Sequence, residues 1–393
     1  MKKILFITLG AIVGVCSYFL FFNAHHQKSD DSLKTATVKD ETTMNENNNE
    51  KALEQDKKKY SEKLLEEMSL EEKVGQMFIV RCPDEYAVKK VSEYHIGGYI
   101  LFARDFENET KASMKKTIES YQDEADIPLF IGVDEEGGTV NRMSCFKAFK
   151  DTPFYSPQVL YKKGGMSLIK SDTTKKCNLL KSIGINMNFA PVSDISVHSK
   201  DFMYKRTFGK NANETAKYVE TVVSEMNKNN VVSVLKHFPG YGNNKDTHTG
   251  IAYDKRSFDH FESSDFIPFL AGIDAGSNVI LVSHNIVESM DKEYPASLSK
   301  KVHDILREHL NYDGLIITDD LVMNGVKDFA NNEEVAVLAI LAGNDLLCCT
   351  DFEEQIPAVI DAVKENRIDE EIINRAVLKI LDYKLKMGIL KEK

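Results

Sequence analysis

The stretch "VVSVLKHFPG", Val231–Gly240, sets four β-prone apolar residues around one serine, turns to a lysine and a histidine, and breaks at Pro-Gly. A short apolar run ended by turn residues reads as a strand buried on both faces. Seven other runs share the form: "MFIV" (77–80), "GYILF" (98–102), "LFIGVD" (129–134), "INMNFAP" (185–191), "VILVSH" (279–284), "GLIITDD" (314–320) and "DLLCC" (345–349). Between them lie patterns such as "NETAKYVETVVSEMNKNN" and "SKKVHDILREHLNY", with apolar residues at the three- and four-residue spacing of an amphipathic helix. Eight strands alternating with helices predict an α/β fold, a (β/α)8 TIM-type barrel forming a single catalytic domain over residues 60–393. A doubly wound open sheet has the same periodicity and is the alternative.

Several of these runs end in polar residues. Asp134 follows "FIGV", Lys236 and His237 follow "VVSVL", His284 follows "LVS", and Asp319 and Asp320 follow "LIIT". Any one could be an ordinary strand terminus. Together they fit the rule that barrel chemistry gathers at the C-terminal ends of the strands, and they put the loop "KHFPGYGNNKDTHTG" (236–250) on that rim.

The rest of the chain sets limits. With 393 residues, 42% of them hydrophobic, the sequence can bury a large core. A net charge of -11 argues against a nucleic-acid partner, because phosphates need a basic face and "KKK" (57–59) sits among acidic residues as solvated charge. At the N-terminus, Lys2 and Lys3 precede an almost unbroken apolar run from Ile4 to Phe22, long enough to cross a ~30 Å hydrocarbon core as a helix.

Residues 1–23 are therefore expected to anchor the chain in the cell membrane as a single pass, with the catalytic domain outside. A removed signal segment or a lipid anchor at Cys16 are the alternatives. No convincing small-x-small cleavage site is present, and Val15 fits lipid processing poorly. Residues 24–59 lack Gly, Pro and aromatic residues and read as a polar, disordered tether. Cys82, Cys145, Cys177, Cys348 and Cys349 show no metal spacing and read as buried small apolar residues. No metal or cofactor is expected, and the protein is expected to be a monomer.

Carboxylates, lysine, arginine and histidine without metal spacing or a phosphate loop suit glycosyl transfer to water, which needs a carboxylate nucleophile and a proton donor for the departing oxygen. In "DTH", Asp246 and His248 are two apart, so an extended loop points both side chains the same way and the carboxylate can orient the imidazole. Strand alternation cannot choose between Asp319 and Asp320 as nucleophile.

"KHFPGYGNNKDTH" resembles the KHFPG(H)G…D-S/T-H signature of glycoside hydrolase family 3, in its branch of bacterial β-N-acetylglucosaminidases, which includes the muropeptide-recycling enzymes. The likeness extends in order through "MSLEEKVGQMF", "GGYILF", "IGVDEEGGTVNRM", "INMNFAPVSDI", "YKRTFG", "PASLSKKV", "YDGLIITDDLVM" and "LAGNDLL", covering about Met68 to Leu390. The resemblance implies that Asp319 is the nucleophile, that His248 is the general acid/base with Asp246 as its orienting partner, and that Asp134, Arg142, Arg206, Lys236 and His237 bind the sugar. Asp320 is left with a loop-capping role. Tyr241 stands where the family commonly has His, and Thr139 where it often has Arg, so the leaving-group side departs from the pattern.

Many relatives carry an acid/base glutamate on a second domain. Here residues 350–393 read as closing helices, and the donor is expected from the loop carrying His248, whose glycines would let it close and reopen. The expected activity is a retaining exo-β-N-acetylhexosaminidase acting on GlcNAc-terminated cell-wall fragments or related glycans. Same-family alternatives are a β-glucosidase, a xylosidase or a sugar phosphorylase. From other classes come a metal-dependent amidohydrolase using His237, Asp246 and His248, and an inactive glycan-binding protein.

Overall fold

A computed structural model describes residues 55–244, 250–330 and 334–392. The segment read as an anchor, most of the tether, and the Asp246–His248 pair lie outside the described residues. Residues 55–67 are helical, so positions 55–59, assigned to the tether, already belong to ordered structure. Among the described residues no helix is long and apolar enough to cross a membrane.

The strands are β1 (Phe78–Arg81), β2 (Gly98–Leu101), β3 (Phe130–Val133), β4 (Met187–Asn188), β5 (Val232–Ser233), β6 (Leu235–Phe238), β7 (Tyr253–Asp254), β8 (Val279–Val282), β9 (Ile286–Val287), β10 (Leu315–Thr318) and β11 (Leu347–Cys349). One sheet runs β11-β1-β2-β3-β4-β5 and another β10-β8-β6, with parallel pairing throughout. β5 and β6 are two pieces of one strand separated by Val234, whose N–H donates to Ala190 O at 3.0 Å, so the first join is continuous. The second is made by the parallel bridge between Ile317 and Leu346, where Leu346 N–H donates to Ile316 O at 2.9 Å. The ring therefore closes on itself with the eight expected runs in chain order, and the open-sheet alternative falls away.

Burial explains the composition of the runs. "VILV" of β8 and "LIIT" of β10 are buried along their whole length, packed by side chains on the barrel axis and by helices outside, so neither face needs polar residues. The surrounding helices start where the sequence caps them. Ser69 Oγ accepts from Glu72 N–H at 3.2 Å while Glu72 Oε2 accepts from Ser69 N–H at 2.7 Å, a capping box that opens the helix Leu70–Gln76. Asn211 opens Ala212–Lys228 by accepting from Glu214 N–H at 3.0 Å.

Two features were not anticipated. β7 and β9 pair outside the ring, and at two residues each they carry no periodic signal. Cys145 is exposed, which corrects its reading as a buried cysteine; in the turn-rich segment after β3 its neighbours Met143 and Phe146 turn to the core and leave the thiol facing outward.

The floor of the barrel holds a buried amine. Lys384, on the helix Glu370–Lys386, is fully buried, donates to Gln76 Oε1 at 2.8 Å and Gly97 O at 3.1 Å, and lies 5.0 Å from the Phe130 ring centre. Burial alone pushes its pKa down to about 7. The unfolded chain holds that proton up to ~10.4, so between the two values the unfolded state binds more protons and stability rises with pH. Below about pH 7 the cost of burying the charge is present in full. Lys384→Met should therefore gain melting temperature relative to the parent as pH falls from about 9 to about 6, by thermal unfolding at both pH values.

Candidate active site

β3 ends in Asp134, and the next residues fold a turn back onto it. Glu135, fully buried, accepts from the N–H of Arg142 at 3.0 Å and of Met143 at 2.9 Å, and from the Ser144 hydroxyl. This brings the Arg142 guanidinium to 3.8 Å from the Asp134 carboxylate. Gly137 makes the turn possible: its φ is +104°, and a Cβ there would strike the carbonyl oxygen of Tyr155.

β6 supplies Lys236 and His237. Alternation along a strand would send neighbouring side chains to opposite faces; here the peptide bond between them is cis and both line the same cavity. Lys236 is only 2% exposed and donates to Asp134 Oδ1 at 2.6 Å, with Glu136 Oε1 at 2.7 Å. Arg206 grips the same Glu136 with both arms, Nε to Oε2 at 3.0 Å and Nη2 to Oε1 at 2.7 Å. Burial opposes the charge on Glu136, but Lys236 and Arg206 outweigh it and hold the carboxyl well below the usual range. For Arg206, burial is likewise overcome by Glu136, and the guanidinium is held above its ordinary value.

His237 is oriented from behind. Its Nδ1 lies 2.7 Å from Asp194 Oδ2, an oxygen that also accepts from the His237 backbone N–H at 3.2 Å, while Asp194 Oδ1 accepts from Tyr241 N–H at 2.7 Å. Nε2 faces Arg206 Nη2 at 3.4 Å. A guanidinium can only donate, so these partners assign the neutral tautomer with the proton on Nδ1.

β10 ends in the two carboxylates that sequence alone could not separate. Asp320 is occupied: Oδ1 accepts from Val322 N–H at 3.3 Å and Thr350 N–H at 3.1 Å, and Oδ2 accepts from the Thr350 hydroxyl at 2.5 Å. Burial raises its pKa, with the Thr350 hydroxyl acting against the rise. It ties the end of β10 to the residue after β11. Asp319 donates its N–H to Val282 O at 3.0 Å and lines the cavity.

Six of the sequence-derived residues, Asp134, Arg142, Arg206, Lys236, His237 and Asp319, thus line one cavity of about 410 Å³ at the C-terminal ends of the strands. β3 and β10 are four strands apart either way round the ring, so Asp134 and Asp319 reach it from opposite sides. The stems of the loop that carries Asp246 and His248 are fixed by one buried group. Arg256 pairs with Asp254 at 2.6 Å and Asp265 at 2.8 Å and donates to Gly240 O at 2.8 Å, while Asn244 Nδ2 donates to Asp254 Oδ2 at 2.8 Å.

Sequence reasoning missed Glu136 and Asp194. Glu136 is a second acid after Asp134 and could have been matched against the lysine and arginine assigned to the same site. Asp194, in "PVSDI", sits after a two-residue strand and gives no periodic cue.

Removing Glu136 would take the paired carboxylate from Arg206 and leave Lys236 with Asp134 alone. Glu136→Ala should lower the unfolding free energy by ~3–5 kcal/mol, measured by urea titration near neutral pH.

Residues 69–383 match the Glycosyl hydrolase family 3 N terminal domain. Beta-hexosaminidase A of Pseudoalteromonas piscicida is 29% identical over 325 residues, 76% of this chain and 54% of that protein. Beta-hexosaminidase of Haemophilus influenzae is 30% identical over 292 residues, 72% and 80% of the respective lengths. A solved glycoside hydrolase family 3 beta-N-acetylglucosaminidase from Paenibacillus sp. str. FPU-7 superposes with a TM-score of 0.76 at 30% identity, over 83% of this chain and 64% of that one. The chain thus spans about half of the Pseudoalteromonas protein and less than two thirds of the Paenibacillus one. With the parallel barrel, the ordered motifs and the domain match all in agreement, this chain belongs to glycoside hydrolase family 3.

Proposed function

We propose that the chain is a retaining, exo-acting β-N-acetylhexosaminidase that removes terminal β-linked GlcNAc from cell-wall fragments or related glycans. The observation that carries this reading is the convergence of Asp319 and the Asp134–Lys236–Glu136–Arg206 charge group on one cavity from different strands. Relatives named beta-hexosaminidase and the Paenibacillus beta-N-acetylglucosaminidase support the choice of sugar.

In this mechanism the Asp319 carboxylate attacks the anomeric carbon and forms a glycosyl ester as the bond to the leaving oxygen breaks. His248, held by Asp246, gives its proton to that oxygen. It then takes a proton from water, which attacks the anomeric carbon and frees Asp319, so two inversions give net retention. Asp134 accepts hydrogen bonds from sugar hydroxyls, while Lys236, Arg142 and Arg206 donate to hydroxyls or the amide carbonyl and His237 completes the wall. Asp320 is taken up by tying β10 to the residue after β11, and Asp319, whose Oδ1 accepts from Asp320 N–H at 2.9 Å, is taken as the nucleophile on the resemblance to glycoside hydrolase family 3.

On the same reading the enzyme works as a monomer outside the cell, with residues 1–23 as membrane anchor and 24–54 as tether. Protease treatment of intact cells should release the catalytic domain and leave a membrane-bound stub; release without protease would remove the anchor from the proposal.

Two substitutions test the chemistry on a nitrophenyl β-GlcNAc glycoside. Asp319→Ala should abolish turnover. His248→Ala should give a rapid burst followed by turnover ~10²–10⁴-fold slower, with one GlcNAc trapped on a peptide containing Asp319, because the activated leaving group bypasses the acid step but hydrolysis still needs the base. Unchanged turnover in both variants would end this mechanism. Turnover should also be insensitive to EDTA; loss on chelation would favour the amidohydrolase reading.

A further inference from the structure

The segment between β4 and the helix Ala212–Lys228 carries two side chains of interest. It returns Arg206 to the cavity wall, and it holds Phe202 at the surface, 45% exposed. The Phe202 ring centre lies 6.0 Å from that of Tyr241 at an interplanar angle of 44°, and the Tyr241 ring lies 5.7 Å from the His237 imidazole at 73°. His237 lines the cavity, Tyr241 behind it is buried and Phe202 is half-exposed, so the ring spacings limit the distance from the cavity residue His237 to the exposed Phe202 to about 12 Å.

A single exposed aromatic residue needs no explanation when its loop is loose. This one is clamped on both sides. Asp201, just before it, accepts from the Ser196 hydroxyl at 2.9 Å and donates its N–H to His198 O at 3.0 Å. Met203, just after it, is fully buried in a small cluster with Val192 and Tyr241, and its carbonyl accepts from Arg206 N–H at 2.9 Å. A half-exposed ring held this way is preorganised and has little ordering entropy left to lose when a ligand covers it.

We propose that Phe202 is the stacking platform of a leaving-group subsite, and that it takes the apolar face of a second pyranose β-linked to the sugar in the cavity. The face of an aromatic ring is the negative end of its quadrupole, and the C–H bonds on one side of a pyranose present the complementary positive edge. A peptide or phosphate leaving group offers no such face. The proposal rests on the hydrolase reading above and narrows its substrate class to glycans with at least two linked sugars. Tyr241, which replaces the histidine common at this position in the family, is the ring that joins the platform to the sugar wall.

The test compares the parent with Phe202→Ala and Phe202→Trp on two substrates: the β-1,4-linked disaccharide of GlcNAc, and GlcNAc β-fluoride, whose leaving group is too small to reach the rim. Phe202→Ala should lower kcat/KM on the disaccharide about three- to tenfold, chiefly through KM, and leave the fluoride within about twofold, while Phe202→Trp restores the disaccharide. Equal losses on both substrates would mean that Phe202 only braces Tyr241 and His237, and no loss on either would make it a bystander; each overturns the proposal.

A binding arm separates this from the hydrolase reading. In Asp319→Asn, calorimetry should find that adding Phe202→Ala weakens the disaccharide but not GlcNAc itself. If the parent hydrolyses neither substrate, the hydrolase reading fails, and the binding comparison still decides the platform: a disaccharide-specific loss supports it and an equal loss overturns it.

Discussion

A lysine ammonium held almost entirely out of water at the mouth of the barrel is the constraint on which the site depends. Lys236 could not stay charged there without partners, and it has two carboxylates within hydrogen-bonding distance, Asp134 and Glu136. Glu136 in turn needs more than half a lysine, and Arg206 supplies the balance with a two-armed contact. Each charge is tolerable because the next is present, so the four side chains form a rigid, pre-aligned wall. Such a wall need not be stabilising compared with an apolar packing of the same volume, and its cost in desolvation is what a binding surface for hydroxyl groups demands.

The closed ring turns that wall into a site. β3, β6 and the segment after β4 bring the wall to one side, while β10 delivers Asp319 from across the ring, so charged groups face one cavity from different directions. The loop after β6 starts from the same strand as Lys236 and His237, and Asp194 holds the His237 ring and the first residue beyond Gly240 with one carboxylate. Gly240 itself has φ of +125°, and a Cβ there would meet the Asp265 side chain, so the loop's departure from the strand permits only glycine without rearrangement.

Much of this was legible in the sequence because barrel strands buried on both faces leave a plain signal. All eight apolar runs became ring strands, and the polar residues that end them became cavity residues except His284, which is buried between Ser297 and the Asp320 carbonyl, since a residue's place at a strand terminus is a local property. Glu136 and Asp194 were not legible because their roles are defined by partners 70 and 43 positions away, Arg206 and His237, which no local pattern connects. The part that Asp320 plays in tying β10 to β11 depends on Thr350, on the far side of another strand, which no local pattern reveals. The pairing of β7 with β9 was invisible for the opposite reason: two residues are too few to carry a period. Cys145 was misjudged because thiols are buried by habit, and only the course of the chain after β3 reveals that Met143 and Phe146 take the inward positions beside it.

Backbone ladders cannot be altered by changing a side chain, but two joins in this ring are partly sewn with side chains. Between β3 and β4, Ile131 N–H donates to the Asn186 side chain at 2.8 Å and Glu135 N–H to the Asn188 side chain at 2.9 Å. Between β10 and β11, Cys348 N–H donates to the Thr318 hydroxyl at 3.1 Å. These are the seams beside Asp134 and Asp319. At these two seams a single codon reaches a bond between neighbouring strands, so sequence drift can loosen or tighten the join beside Asp134 or Asp319 while the backbone ladder of the ring stays as it is.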